Sequence, residues 1–299
     1  MNKIAAGFAG KNIKCLSDFD VKHLTSFKVG GKVSGLIMVN DVAELMFAAA
    51  FLRKNKKQFA IVGKWTNMLV NDKGVKKYFI SLKGDFEKAR VKEGGGFYAG
   101  AGITVYNLLR FAVGNRLGGI EYMAGIPGTL GGALYMNAGA KKKAIGDVVD
   151  FVYVLNKKNE VRKIDAKKCH FGYRQSVFIG KTDIILGAEL SLKEVNVVES
   201  LAQIQQNLKE RAEKQPLNFP NAGSIFRNGE KYTAGILIEK AGLKGLKVGG
   251  AKVSEKHANF IVNEGNATYL DIKTLIGKVK KEIKKKNKIT LIEEIIYVE

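Results

Sequence analysis

Apolar residues recur with helical spacing in several stretches of the chain. The clearest stretch lies near the C-terminus, where one helical face collects Ile272, Leu275, Ile276, Val279 and Ile283. Lysines occupy the opposite face, which is typical of a solvated helix surface. We predict three further helices: one that begins at Asp41, with Glu44 completing a capping box, one over Thr104–Gly119 ended by Gly118–Gly119, and one that begins at Val197 and stops at Pro216.

Strands are predicted between these helices. Residues 58–63 form a strand that enters the turn "GKWTNML", and residues 89–102 form two strands joined by a glycine hairpin. A second hairpin covers Asp147–Ile164 and turns at residues 157–159, residues 251–268 give strand, turn and strand, and an apolar strand closes the chain. Because helices and strands do not alternate regularly, the pattern predicts an α+β fold, with a boundary near Glu194.

Composition narrows the class of protein. The chain has 299 residues and a net charge of +22, which fits either solvated lysine-rich helix faces or a polyanionic partner. The lysine runs lack interleaved aromatics, so nucleic-acid binding is weakly supported. We expect reduced Cys15 and Cys169, no metal site, no membrane span, no secretion signal and a cytoplasmic location.

Residues 125–140, "GIPGTLGGALYMNAGA", hold five glycines and one of the three prolines. The dinucleotide fingerprint GxGxxG is not present, since "AGAGITV" has Val105 at the third glycine position, and the phosphate loop GxxxxGK[ST] is also missing. From the residues alone, two interpretations stay open: a glycine-rich ligand loop, or glycines needed only for packing.

Seven segments in fixed order carry a resemblance to a known family. They are "TSFKVGG" (Thr25–Gly31), "GKWTNML" (Gly63–Leu69), the glycine-rich stretch, "GYRQSVF" (Gly172–Phe178), "AGSIF" (Ala222–Phe226), "KVSEKHANFIVN" (Lys252–Asn263) and "LIEEI" (Leu291–Ile295). This set resembles the UDP-N-acetylenolpyruvoylglucosamine reductases over nearly the whole chain. The compact segment after Phe178 is similar to the branch that lacks an extra substrate-covering tyrosine loop.

The resemblance implies a two-lobed FAD-binding domain of the vanillyl-alcohol-oxidase type, with lobes at 1–83 and 84–194, and a C-terminal α+β substrate-binding domain at 195–299. It implies FAD and NADPH as cofactors. The family favours three glycines and a serine before the asparagine of this turn, whereas this chain keeps Gly63 and Asn67 but has Lys64, Trp65 and Thr66 between them. The cofactor-binding residues that the resemblance implies are Gly63, Thr66, Asn67, Gly125, Gly128, Gly131, Gly132, Asn137 and Gly139.

Three residues match the catalytic positions of the family. Arg174 would bind the substrate carboxylate, Ser224 would donate a proton to the carbon beside it, and Glu294 would assist. Glu293 is an alternative to Glu294, because the match of "LIEEI" to the family pattern is loose. On a strand the two side chains would point to opposite faces, so only one of them could face the flavin. Tyr173, Lys214 and Asn228 are candidates for binding the substrate. For each of them, a structural or solvent-exposed role fits the sequence about as well as the functional role.

The resemblance therefore implies an NADPH- and FAD-dependent reductase that makes UDP-N-acetylmuramate for peptidoglycan. The expected partner is a small UDP-sugar, with no nucleic acid or membrane, and the protein is expected to be a monomer. Two alternatives stay open: an oxidase of the same fold that uses O₂, and a basic nucleic-acid-binding protein with a degenerate flavin fold.

Overall fold

The computed structural model describes residues 3–92 and 96–299. The α-helices of this part of the chain are α1 (Lys3–Ala9), α2 (Val42–Lys54), α3 (Val105–Gly114), α4 (Leu130–Met136), α5 (Val197–Lys214), α6 (Ala234–Lys240) and α7 (Tyr269–Asn287).

The strands are β1 (Lys14–Asp20), β2 (Lys32–Val39), β3 (Phe59–Val62), β4 (Met68–Val70), β5 (Val75–Leu82), β6 (Ala89–Val91), β7 (Phe97–Gly100), β8 (Leu117–Gly118), β9 (Gly139–Ala140), β10 (Lys143–Ala144), β11 (Val149–Leu155), β12 (Val161–Asp165), β13 (Ile184–Leu190), β14 (Lys193–Glu194), β15 (Lys247–Val248), β16 (Ala251–Val253), β17 (Ile261–Asn263) and β18 (Ile296–Val298). This mixture of helices and antiparallel and parallel strands is α+β, as predicted.

The chain divides into two compact units, each built from separated segments. Unit 1 comprises Met1–Ser17, Gly35–Lys64 and Lys77–Lys209, and unit 2 comprises Asp18–Ser34, Trp65–Lys76 and Glu210–Glu299. The predicted division at residues 83 and 194 follows the order of the sequence and stays a proposal.

Unit 1 is built on two sheets. One has the strand order β1-β2-β5-β3, with β3 and β5 parallel, and the other is an antiparallel sheet of order β12-β11-β13-β7-β6. Every residue of β13 is buried, so this central strand has apolar neighbours on both faces. Both predicted hairpins of this unit are confirmed, although residues 93–95 of the glycine turn lie outside the described residues.

Unit 2 has an antiparallel sheet of order β15-β16-β17 and a parallel pair, β4 and β18. Helix α7 packs on β15 and β16, and its predicted apolar face is buried from Ile272 to Ile283. The predicted closing strand is too long, because only Ile296–Val298 pairs with β4 and residues 289–295 run outside a regular strand.

Two local predictions are corrected. Asp41 does cap α2 by accepting from the Glu44 N–H, at 2.8 Å, but the Glu44 carboxylate accepts from the N–H of Asn40 and not from that of Asp41. Helix α3 ends at Gly114 and not at Gly118–Gly119. The Asn115 side chain donates to the Phe111 carbonyl at 2.8 Å and terminates the helix early, as short polar side chains do by competing for backbone groups.

Candidate active site

The glycine-rich stretch makes the tight turn that precedes α4. Gly125 and Gly128 have φ of 75° and 125°, which are left-handed values that favour glycine. Thr129 then caps α4 by accepting from the Gly132 N–H. The N–H groups of Leu130 and Gly131 donate to the carbonyls of Ile103 and Ala101, at 2.9 and 2.8 Å, so these two donors are already used within unit 1.

The glycines of this region fall into two kinds. A Cβ on Gly131 would lie 2.9 Å from the Ala101 Cβ, and one on Gly63 would lie 2.6 Å from the Thr129 Oγ1, so close packing within unit 1 requires both glycines. A Cβ on the exposed Gly132 would have no heavy atom closer than 3.8 Å. Packing does not explain Gly132, and this open surface is where a ligand can approach the backbone closely.

Asn137 ends α4 in the left-handed conformation, with φ of 44°. Its side chain is 5% exposed and lies between two backbone segments. The Nδ2 donates to the Gly172 carbonyl at 2.8 Å, and the Oδ1 accepts from the Gly146 N–H at 2.9 Å. A Cβ on Gly146 would lie 2.8 Å from this Oδ1, which explains the glycine there.

Gly172 opens a two-residue turn that carries Tyr173 and Arg174. Gly172 and Gln175 exchange two backbone hydrogen bonds of 3.1 Å, and Arg174 adopts the left-handed conformation, with φ of 52°. The Arg174 Nη2 donates to the Gly139 carbonyl at 3.3 Å, and its guanidinium carbon lies 5.2 Å from the centre of the Tyr173 ring. Unit 1 thus brings together four predicted site residues: Asn137, Gly139, Tyr173 and Arg174.

In unit 2, three other predicted residues lie on neighbouring segments. Ser224 forms an isolated bridge with Phe260, and the carbonyl of the next residue, Ile225, accepts from the Glu294 N–H at 2.8 Å. The Asn67 Nδ2 donates to the Glu294 carbonyl at 3.0 Å. Ser224, Glu294 and Asn67 are therefore linked through the backbone.

Asn259 supports the Ser224 segment, and the sequence analysis assigned it no role. This buried side chain accepts from the Phe226 N–H at 3.0 Å and donates to the Phe226 carbonyl at 2.8 Å. Its N–H donates to the Nδ1 of His257, whose pKa is lowered by burial, so the neutral ring is available to accept. An asparagine within the apolar run "ANFIVN" was the available signal.

The two neighbouring glutamates have different surroundings. Glu293 forms an ion pair with Lys280 and accepts a hydrogen bond from the Tyr297 hydroxyl, whose pKa is raised by burial and by this carboxylate. Glu294 is half-buried and follows immediately in the chain. The Glu293 carboxylate is thus engaged by Lys280 and Tyr297, and the choice of Glu294 as the functional residue stays a prediction.

The remaining candidates are placed as follows. The Asn228 Oδ1 accepts from the Ala234 N–H at 2.9 Å at the start of α6, which is a structural contact. Thr66 is half-buried. Lys214 is the exposed last residue of α5.

Unit 2 contains a cavity of about 500 Å³ that is lined in part by residues 215–219, the segment after the end of α5. Its lining residues include an aromatic ring, an amide, two lysines and two carboxylates that pair with Lys252, namely Phe219, Gln215, Lys252, Lys256, Glu255 and Glu264. Among the described residues that line it, Gln215 has an Oε1 that is buried without a hydrogen-bond partner. Such unmatched buried groups need an explanation, and a polar ligand is one.

Two observations concern residues 3–92 and 96–299. No group of three histidine, cysteine or carboxylate side chains there is arranged to hold a metal ion. Within the same residues, no helix combines the length and the apolar character that crossing a membrane requires.

Comparison with known proteins defines the class first. Residues 33–165 match the family model described as "FAD binding domain". A variant of BBE-like 1 from Physcomitrella patens shares the fold over 64% of this chain and 45% of its own, with a TM-score of 0.51 at 13% identity. The protein is thus an α+β flavoprotein with an FAD-binding domain of the predicted type.

The particular family follows from the C-terminal region of the chain and from relatives that match nearly the whole chain. Residues 215–298 match the model described as "UDP-N-acetylenolpyruvoylglucosamine reductase, C-terminal domain". Curated proteins of that name from Caldanaerobacter subterraneus and Carboxydothermus hydrogenoformans are 41% and 40% identical, over 92% and 91% of this chain and 90% and 89% of theirs. The chain belongs to the UDP-N-acetylenolpyruvoylglucosamine reductase family.

A solved structure supports the same family across both units. The Thermus caldophilus UDP-N-acetylenolpyruvylglucosamine reductase matches with a TM-score of 0.81 at 30% identity, covering 96% of this chain and 99% of that one. The predicted family and fold class are confirmed, and the protein is an oxidoreductase.

Proposed function

We propose that this protein reduces the enolpyruvyl double bond of UDP-N-acetylenolpyruvoylglucosamine to give UDP-N-acetylmuramate, a precursor of the cell wall, with FAD and NADPH as cofactors. Family membership supports this reaction. The structural observation that carries it is the turn at Gly172–Gln175, which holds Arg174 at the Gly139 carbonyl beside the glycine-rich stretch.

The residues of unit 1 fit FAD. The exposed backbone at Gly125 and Gly132 has room for a cofactor to approach, because a side chain at Gly132 would meet nothing nearby. We assign Gly125, Gly128 and Gly132 to this surface, and also Gly63, which is exposed although its packing against Thr129 by itself requires a glycine. FAD, when bound, supplies the hydride that the double bond accepts. Thr66 and Asn67 stay predicted contacts, and Gly131 and Gly139 contribute through packing and through the Gly139 carbonyl.

The reaction requires stabilisation of the negative charge that develops on the substrate, and Arg174 provides it. When hydride adds to the terminal carbon, negative charge develops on the carbon that bears the carboxylate and spreads onto the carboxylate oxygens. A guanidinium is permanently charged and can bind both oxygens. Because that charge grows along the reaction, the pairing is stronger in the transition state than in the bound substrate.

Ser224 meets the second requirement of the reaction by delivering a proton to the carbon beside the carboxylate. A serine hydroxyl is a weak acid, but the carbanion-like carbon is a far stronger base than the usual proton acceptors. Glu294, whose backbone N–H bonds the carbonyl of the residue after Ser224, assists by proton relay or by polarising the carboxylate.

The cavity lined by Gln215 and Phe219 is proposed to take a nucleotide portion of the UDP-sugar or of NADPH, while Lys214 stays a predicted substrate contact. Phe219 offers a face for a base, and the unmatched Gln215 Oε1 would accept a hydrogen bond from the ligand. Lys252 and Lys256 would exchange their bonds to Glu264 and the Ala212 carbonyl for phosphate. Both ligands and FAD carry diphosphates, which gives the net charge of +22 a purpose. Tyr173 stays a substrate-contact candidate.

Stopped-flow absorbance on the purified protein tests the proposal. We expect a yellow protein whose flavin is bleached by NADPH under anaerobic conditions and then reoxidised by the enolpyruvyl substrate faster than by air-saturated buffer. Faster reoxidation by O₂ would favour the oxidase alternative, and a colourless protein that does not take up FAD would contradict both. A monomeric state and a cytoplasmic location stay predictions, the latter in keeping with two free thiols.

A further inference from the structure

Asn137 connects the glycine-rich stretch to the turn that carries Arg174. The sequence resemblance implied a cofactor contact for this residue, but the hydrogen bonds of its side chain are made within unit 1. The Nδ2 donates to Gly172 and the Oδ1 accepts from Gly146, while only 5% of the residue is exposed. Both ends of the amide are therefore engaged by the protein itself.

Two points of the same short stretch hold the arginine turn. The Asn137 side chain binds the carbonyl of Gly172, the first residue of the turn, and the Gly139 carbonyl binds the Arg174 guanidinium at 3.3 Å. Arg174 sits in the left-handed conformation, which is costly for residues other than glycine and asparagine and persists only where the surroundings enforce it. The Asn137 bond is a side-chain contact at the base of the turn that helps to hold it in this conformation.

We infer that Asn137 is a positioning residue for Arg174 and does not bind FAD. Resting on the proposed function, this inference means that loss of the Nδ2 donor would misplace the guanidinium in the step that reduces the substrate. It would leave the reduction of the flavin by NADPH unchanged. A misplacement of about 1 Å can lower a rate by roughly 100-fold.

Two substitutions separate the amide from the backbone. Asn137→Asp keeps the size and the acceptor of the Gly146 bond but sets an oxygen against the Gly172 carbonyl. Asn137→Gly adopts the left-handed backbone conformation without strain and removes the side-chain amide altogether. It therefore tests the role of the amide even if the aspartate variant does not fold. Asn263→Asp is the matched control, because the 2% exposed Asn263 also donates to a carbonyl, that of Phe27, and accepts from a glycine, Gly265.

Rapid kinetics on the holoenzyme measure both half-reactions. We expect either Asn137 variant to slow reoxidation by the enolpyruvyl substrate roughly 10- to 100-fold, with flavin reduction and FAD affinity unchanged, and Asn263→Asp to alter neither rate. In an Arg174→Ala background, adding Asn137→Asp should change reoxidation by less than about twofold, because residues that act as a unit are not additive. Additive losses would overturn the inference, as would loss of FAD affinity.

A second measurement does not depend on the proposed reaction. In a ¹⁵N-labelled protein, the Nε–H signal of Arg174 is identified by its loss in Arg174→Ala. We expect this signal to shift in both Asn137 variants and to stay in place in Asn263→Asp. An unmoved signal would overturn the inference, whereas a wild-type protein that is not reoxidised by substrate would overturn only the proposed function.

Discussion

Two buried asparagines, one in each unit, hold the segments that carry Arg174 and Ser224. Asn137 and Asn259 are 5% and 4% exposed, and each uses both its amide donor and its amide acceptor on backbone groups. Asn137 fixes a tight left-handed turn through one bond to its first residue. Asn259 bonds both the N–H and the carbonyl of Phe226, inside an extended segment.

The difference lies in what remains when the amide is removed. The Ser224 segment keeps backbone bonds on both sides, from Ile225 to the Asn259 carbonyl, from Glu294 to Ile225 and from Arg227 to Ile292, each of 2.8 Å. The Arg174 turn keeps its internal bonds, the contact of the guanidinium with Gly139 and, just after it, the bond from the Val177 N–H to the Cys169 carbonyl at 2.8 Å. We therefore expect the extended segment, which has several backbone bonds to neighbouring segments, to tolerate the loss of one bond better than the turn.

The largest effect is expected where the side chain itself does the chemistry. Ser224→Ala leaves the backbone bonds of its segment intact, so we predict a loss of roughly 10²- to 10⁴-fold in reoxidation by substrate, with normal flavin reduction by NADPH. Stopped-flow absorbance measures both steps. Ser191→Ala, which removes an exposed hydroxyl bonded to Asp150, is the control, and equal losses in both half-reactions would argue against a proton donor.

On the turn, Arg174→Lys keeps the charge and removes the fork of donors. We predict that reoxidation slows by about 100-fold, comparable with the loss of one donor to a developing negative charge. Arg162→Lys, at an exposed arginine that pairs with Glu160, should be neutral in the same assay. Near-normal turnover of Arg174→Lys would argue against a bidentate contact between the guanidinium and the substrate carboxylate. It would also argue against a role of the turn in orienting the guanidinium.

The two glutamates beside the Ser224 segment should separate cleanly. Glu294→Gln is expected to slow reoxidation about 10-fold. Glu293→Gln is expected to lower the thermal unfolding midpoint, because it weakens the ion pair with Lys280, and to leave the rate near normal. The reverse pattern in the paired kinetic and melting measurements would make Glu293 the functional residue.

Periodicity explains why α7 was predicted well and the asparagine contacts were not. The apolar face of α7 is a local pattern, readable within one helix, and the buried residues are those that the spacing indicates. Asn137 and Asn259 bond to residues 35 and 33 positions away. No local pattern states such a pairing, and the resemblance supplied the identity of Arg174 and Ser224 without the residues that hold them.

The limits of local reasoning also appear at element ends. The Asn115 side chain bonds to the Phe111 carbonyl, so α3 ends earlier than predicted. The Glu44 carboxylate accepts from the N–H of Asn40, one residue before the predicted partner in the α2 cap. Likewise, the sequence shows many glycines in residues 125–140 but does not separate Gly131, required by Ala101, from the open Gly132.

Gly132 and Gly277 are both helical glycines at which a Cβ would meet open space. Gly132→Ala and Gly277→Ala both fill open space on a helix, and each should raise the unfolding stability of the apoprotein by about 0.5–1 kcal/mol. Only Gly132→Ala should weaken FAD binding, by roughly tenfold, which corresponds to about 1.4 kcal/mol. Fluorescence titration with FAD measures this, and equal affinities in the two variants would mean that the open surface at Gly132 is not used.

The smallest kinetic effect is expected at Asn259, and it tests the comparison most directly. Asn259→Asp should cost about 1–3 kcal/mol of unfolding free energy, since it leaves the buried Phe226 carbonyl without its donor. Reoxidation by substrate should stay within about threefold of wild type, because the remaining backbone bonds keep Ser224 in place. Denaturant melts and stopped-flow traces on the same sample measure both, and a loss as large as that of Asn137→Asp would erase the distinction between the two regions.

Trp65 is the single tryptophan of the chain, it is 5% exposed, and it adopts a φ of 56° in the turn that the family builds from glycine. All indole emission of the protein therefore comes from one position. Its spectrum and lifetime are an internal optical gauge of that turn, usable without any label. Every ligand titration and every variant above can be followed at this one position as well as at the flavin.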